Sequence, residues 1–99
     1  MKVTVYQTIA LKDNYAKGLI CIHKNFESDV IPHQGDKIGD SIWKDPYEYE
    51  VSEVVINYRE NTCTVNVEMV LLESDEVEQL KTWKHLAELH DWEVIGHVY

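Results

Sequence analysis

The chain reads as an α+β protein. The expected architecture is a small, strongly bent antiparallel sheet or open barrel of about five strands, ordered β-β-loop-β-β-α-β, with one helix near the C-terminus. Three features predict it. Residues 3–11 and 63–71 alternate apolar and polar at the period of a half-buried strand. Residues 77–90 carry apolar side chains at helical spacing. The segment between 24 and 47 is rich in turn residues and has neither period.

In the first segment Val3, Val5, Ile9 and Leu11 share one parity, with Thr4, Tyr6 and Thr8 on the other. Lys12-Asp13-Asn14 reads as a turn, and Gly18–His23, apolar on both parities, as a central strand completing an N-terminal hairpin. A long structureless loop is unusual in a compact domain, so short extended pieces are expected near Val30-Ile31 and Ile42-Trp43. Pro32 suits an edge, and Gly35-Asp36 and Gly39-Asp40 supply tight turns. Residues 48–58 change phase: Tyr49 and Val51 hold one parity, Val54, Ile56 and Tyr58 the other. A bulge near Ser52-Glu53 reconciles them. Arg59-Glu60-Asn61 then turns the chain into the strand through Cys63, Val65, Val67, Met69 and Leu71.

Ser74 is placed to cap the helix, with Asp75 and Glu76 on its first turn, where the helix dipole favours negative charge. Val77, Leu80, Trp83, Leu86, Ala87 and His90 form the inward stripe. Asp91 ends the helix, and Trp92 to Val98 forms a last strand. Val5, Ile20, Ile22, Val54, Ile56, Val65, Val67, Leu80 and Trp83 are the expected core. The chain is read as one domain, 1–99, with no internal repeat or linker. Ile31-Pro32-x-x-Gly35-Asp36-x-Ile38, followed by the strand from Tyr49, has the outline of small β-barrel modules and leads to no named family.

The net charge is −9, distributed as +3 over residues 1–24 and −12 over the remainder. Such a surface repels duplex phosphates and suits a basic protein partner. No apolar run approaches a membrane span, and the N-terminal segment lacks the continuous apolar core of a signal peptide. A cytoplasmic protein is therefore expected. Cys21 and Cys63 match no metal or redox spacing and are read as buried free thiols.

The chemistry-bearing residues are sparse. His85 and His90 are five apart and project differently, so neither they nor His23 and His97 make a ligand pair; no metal or cofactor is expected. His33 and Asp36, with Asp40 nearby, form the best polar cluster. A general base is one reading of it, and carboxylates bonding their own turns is the simpler one. No nucleophile motif or phosphate loop accompanies them.

Trp43, Tyr47 and Tyr49 form an aromatic group interleaved with Asp45, Glu48 and Glu50. Exposed, they make a partner surface; equally, Trp43 closes the sheet end as core. The candidate binding residues are thus Trp43, Tyr47, Tyr49, His33 and Asp36. The balance is against an enzyme and in favour of a protein-interaction or accessory domain. A small hydrolase or transferase using His33 and the loop carboxylates is the alternative. Nucleic-acid binding through Lys2, Lys12, Lys17 and Lys24 is a weaker one.

Overall fold

The computed structural model describes residues 1–11, 18–44, 47–73 and 77–98, with the side chains of 18 and 96–98 excepted. The elements are β1 (Lys2–Ala10), β2 (Gly18–Glu27), β3 (Lys37–Gly39), β4 (Glu48–Asn57), β5 (Thr62–Val67), β6 (Val70–Leu71), α1 (Val77–Leu89) and β7 (Glu93–Val98). The class is α+β with one helix among the described residues. The expected five-stranded antiparallel sheet or barrel is corrected to a mixed, unclosed sheet of seven strands. Its order is β3-β4-β5-β1-β2-β7, with β6 on β1. The mixing arises because β1 runs parallel to both β5 and β6. Such pairing joins segments distant in sequence, and no local turn signal announces it. The Lys12-Asp13-Asn14 turn, Lys17, Asp45 and the Ser74-Asp75-Glu76 cap lie outside the described residues.

The chain divides into two compact units, Met1–Tyr6 with Lys24–Glu68 and Gln7–His23 with Met69–Tyr99. In the first, β5 is central: it pairs antiparallel with β4 and parallel with β1. Register places Val3, Cys63 and Ile56 in one inward row and Val5, Val65 and Val54 in the next. Thr4, Thr64 and Val55 line up on the opposite face. The phase change in β4 is a bulge between Val51 and Glu53, as the parity of the strand requires, and Ser52 Oγ donates there to the Asn66 carbonyl. Val3, Val5, Cys63, Val65 and Val67 are buried, whereas Val54 is half-buried and Ile56 exposed. The outer neighbour β3 reaches only Glu48–Glu50, so among the described residues the far half of β4 has a strand on one side alone.

The expected single strand from Cys63 to Leu71 is interrupted at Glu68-Met69. Glu68 N–H donates to the Glu50 carbonyl while its carboxylate accepts from Glu50 N–H, which closes the β4–β5 ladder there. Met69 and Leu71, inward by alternation, are exposed.

In the second unit β2 pairs antiparallel with β7, from Gly18↔Val98 to His23↔Glu93. Ile9, Ala10, Leu11, Ile20, Ile22, Leu80, Ala87 and Trp92 are buried in this unit, together with the polar Gln7. Leu80 and Ala87, two turns apart, form the centre of the helical stripe; Trp83 is half-buried at its flank and Leu86 is exposed. The helix closes with Asp91 in the left-handed region, φ 66°. Trp92 N–H reaches the Ala87 carbonyl at 2.9 Å and Asp91 N–H the Glu88 carbonyl at 3.4 Å. This is a Schellman closure, with buried Trp92 as its apolar partner. Among the described residues, no helix is long and apolar enough to cross a membrane.

Candidate functional site

A concavity lies wholly in the first unit. It is an open groove of about 590 Å³ lined by Val3 and Val5 of β1, Phe26 and Glu27 of β2, residues 28 and 30–32, and residues 36–39. Its volume falls in the range of ligand sites. Val3 and Val5 form the floor because strand alternation turns them inward. Ser28 N–H donates to the Met1 carbonyl and Thr4 Oγ1 to Asn25 Oδ1, which sets the end of β2 alongside β1 with the chains antiparallel. Beyond β2 the chain leaves the ladder, and Ser28 Oγ contacts both the N–H and the carbonyl of Val30, each at 3.0 Å. Val30 is left 78% exposed on the groove wall.

The other wall is held by a turn that only glycine makes easily. Gly35 has φ 93°, and its N–H donates to the Val51 carbonyl while Val51 N–H donates to the Asp36 carbonyl. Asp36 Oδ2 accepts from His33 N–H at 2.9 Å, so the carboxylate caps its own turn. The His33 ring stands 3.6 Å from that carboxylate with most of its surface in solvent. Asp40 does the same for the next turn: Oδ1 accepts from Ile42 N–H, and Oδ2 meets Lys24 Nζ at 3.2 Å. The Lys24 ammonium also lies 5.7 Å from the Phe26 ring centroid. Both ends of the Lys24–Asp40 pair are mostly buried, so it ties the β3–β4 connection to β2.

The aromatic group splits. Trp43 is 2% exposed and is core, not a surface anchor, because the Asp40 turn folds Ile42 and Trp43 inward. Tyr49 is half-buried against it. Tyr47 is 74% exposed, and its carbonyl lies near Gly39 on the groove wall. Of the five candidate residues, Asp36 lines the groove, His33 flanks it and Tyr47 is free at the surface.

Sequence reasoning missed the groove itself. Phe26, Val30, Ile31 and Ile38 are apolar residues scattered through a polar stretch, and that scatter was the available signal. Cys21 and Cys63 are free thiols, and burial pushes both pKa values up; a hydrogen bond with Thr8 offsets part of this at Cys21. Among the described residues, no three His, Cys, Asp or Glu side chains come together as a metal-binding set. In comparisons by sequence and by fold, the chain matches no family model, no curated protein and no solved structure.

Proposed function

We propose that the protein is a non-enzymatic interaction domain that takes a basic protein partner at the first-unit groove. The observation that carries this reading is the apolar wall of Phe26, Val30, Ile31 and Ile38, exposed or half-buried, standing over the buried Val3 and Val5. Contiguous apolar surface of this kind, rimmed by polar groups, is characteristic of interaction sites. Glu27 and Asp36 supply negative charge to the lining, where the Lys37 ammonium is met by Glu48, and Asp36, His33 and Tyr47 are the candidate residues that flank a bound partner. The same reading places the protein in the cytoplasm, which suits two free thiols. A hydrolase or transferase built on His33 has less support, since the Asp36 carboxylate is engaged by the turn amide.

The test is a photoreactive benzoylphenylalanine at Val30 in cells, with the same group at exposed Lys84 of α1 as the control. A single protein adduct at position 30, absent at 84, should be identifiable by mass and reproduced with the two purified proteins. Absence of any adduct at 30, or a turnover activity abolished by His33→Ala, would sink the reading.

A further inference from the structure

The interaction reading leaves open how a partner is held, and the edge of β3 bears on that. Lys37, Ile38 and Gly39 are consecutive, and all three line the groove. A strand turning one face to a cavity contributes every second residue. β3 therefore presents its edge. The ladder shows which backbone groups lie on that edge. Val51 N–H donates to the Asp36 carbonyl at 2.7 Å, and the register continues as Lys37↔Glu50, Ile38↔Tyr49 and Gly39↔Glu48. Antiparallel pairs alternate between hydrogen-bonded and non-hydrogen-bonded. With Asp36 bonded to Val51, Ile38 is the next bonded position. Lys37 and Gly39 turn their N–H and C=O groups away from β4, toward the groove.

We propose that the groove binds an extended, basic polypeptide segment that adds as a strand to the outer edge of β3. The inference rests on the interaction reading above. The main chain of the segment pairs with Lys37 and Gly39, an aliphatic side chain seats beside Val30 over Val3 and Val5, and flanking lysines or arginines face Glu27 and Asp36. A polypeptide is the occupant that offers donors and acceptors at strand spacing; a small apolar molecule would leave the β3 edge without them. A second copy of this chain is disfavoured by its net charge of −9.

The probe is an acetylated, amidated hexapeptide of alternating lysine and valine, titrated into isotope-labelled full-length protein and followed by amide shifts. Two control peptides accompany it: one with glutamate in place of lysine, and one N-methylated at every residue, which cannot donate along either edge. The basic peptide should saturably shift the Lys37, Gly39 and Val30 amides. The glutamate and N-methyl peptides, and the Lys37→Pro and Val30→Glu variants with the basic peptide, should each bind about tenfold more weakly or worse. Proline is tolerated on a strand edge whose N–H faces outward, and a dispersed spectrum checks that Lys37→Pro is folded. The N-methyl peptide tests the same point on unaltered protein.

Equal binding of the N-methyl peptide would overturn strand addition. So would decanoate shifting the same amides at lower concentration than the peptide. A dimer in sedimentation equilibrium that Val30→Glu dissolves would make the occupant a second copy and overturn the proposal equally. A Val30 protein adduct in cells, combined with indifference to N-methylation, leaves the interaction reading standing and removes only the edge pairing. With no adduct and no peptide binding, both fall.

Discussion

The indole of Trp43 meets the Tyr49 ring nearly edge-on, with centroids 5.0 Å apart and planes at 71°. That arrangement suits the aromatic quadrupole, and it fixes the β3–β4 connection on the sheet. Trp43→Ala should cost about 3–5 kcal/mol in urea unfolding, the range for truncating a large buried aromatic. Trp43→Phe, which keeps a ring, should cost clearly less. A loss below about 1 kcal/mol for the alanine variant would mean that Trp43 is not core.

The Lys24–Asp40 pair joins a partly buried ammonium to a carboxylate that also accepts from Ile42 N–H. Asp40→Ala should therefore remove more than Asp40→Asn, because asparagine keeps an acceptor for the turn amide. A double-mutant cycle of Asp40→Asn with Lys24→Met should give a coupling of roughly 1–2 kcal/mol, above exposed pairs and below fully buried ones. A coupling indistinguishable from zero would show the pair to be incidental.

Asp91 closes α1 in a left-handed conformation that favours glycine. Asp91→Gly should raise stability by about 0.5–1 kcal/mol, with the relief of Cβ strain partly offset by the freer unfolded chain. Thermal unfolding reads the sign directly. A lowered midpoint would mean that the Asp91 side chain contributes more than its backbone strain costs.

Burial raises the folded-state pKa of the Cys63 thiol above its unfolded value. The folded chain therefore holds this proton more tightly than the unfolded chain. The sign follows: the contribution is complete below the unfolded thiol pKa, about 8.5, and is lost as pH rises from there toward the folded value. Stability should fall across that alkaline window, and less steeply in Cys63→Ala. Native protein should also react slowly with a thiol reagent at Cys63 and rapidly once unfolded. An unchanged alkaline slope in Cys63→Ala would remove the thiol as its cause.

Local pattern carried much of the fold. The parity of Tyr49 and Val51 against Val54 and Ile56 located the bulge near Ser52-Glu53, where the register shifts, and the spacing of Leu80 and Ala87 located the buried helical face. Pairing between distant segments was not legible: nothing in residues 2–6 indicates that 62–66 lie parallel beside them. Alternation also overreached at Met69 and Leu71, because it continues in sequence past the point where Glu68 closes the ladder. At the candidate site, the capping role of Asp36 followed from its turn, whereas the burial of Trp43 did not, since an aromatic beside a turn looks alike inside and out. The groove needed β1, β2 and β3 brought together, which no one segment encodes.

The bulge at Ser52 makes β4 permissive in length as well as in composition at that point. Ser52 is exposed, and its side chain can change at little cost. Removing the residue drops the unpaired position and leaves Glu53 opposite Asn66 and Val54 opposite Val65, so the ladder closes as a regular one with its register intact. Removing Val55 from the regular part instead moves Ile56 from opposite Cys63 to opposite Thr64, on the other face. Position 52 should therefore accept both replacement and deletion, where position 55 accepts replacement alone, a contrast that a library of single-codon deletions set against a substitution scan would display.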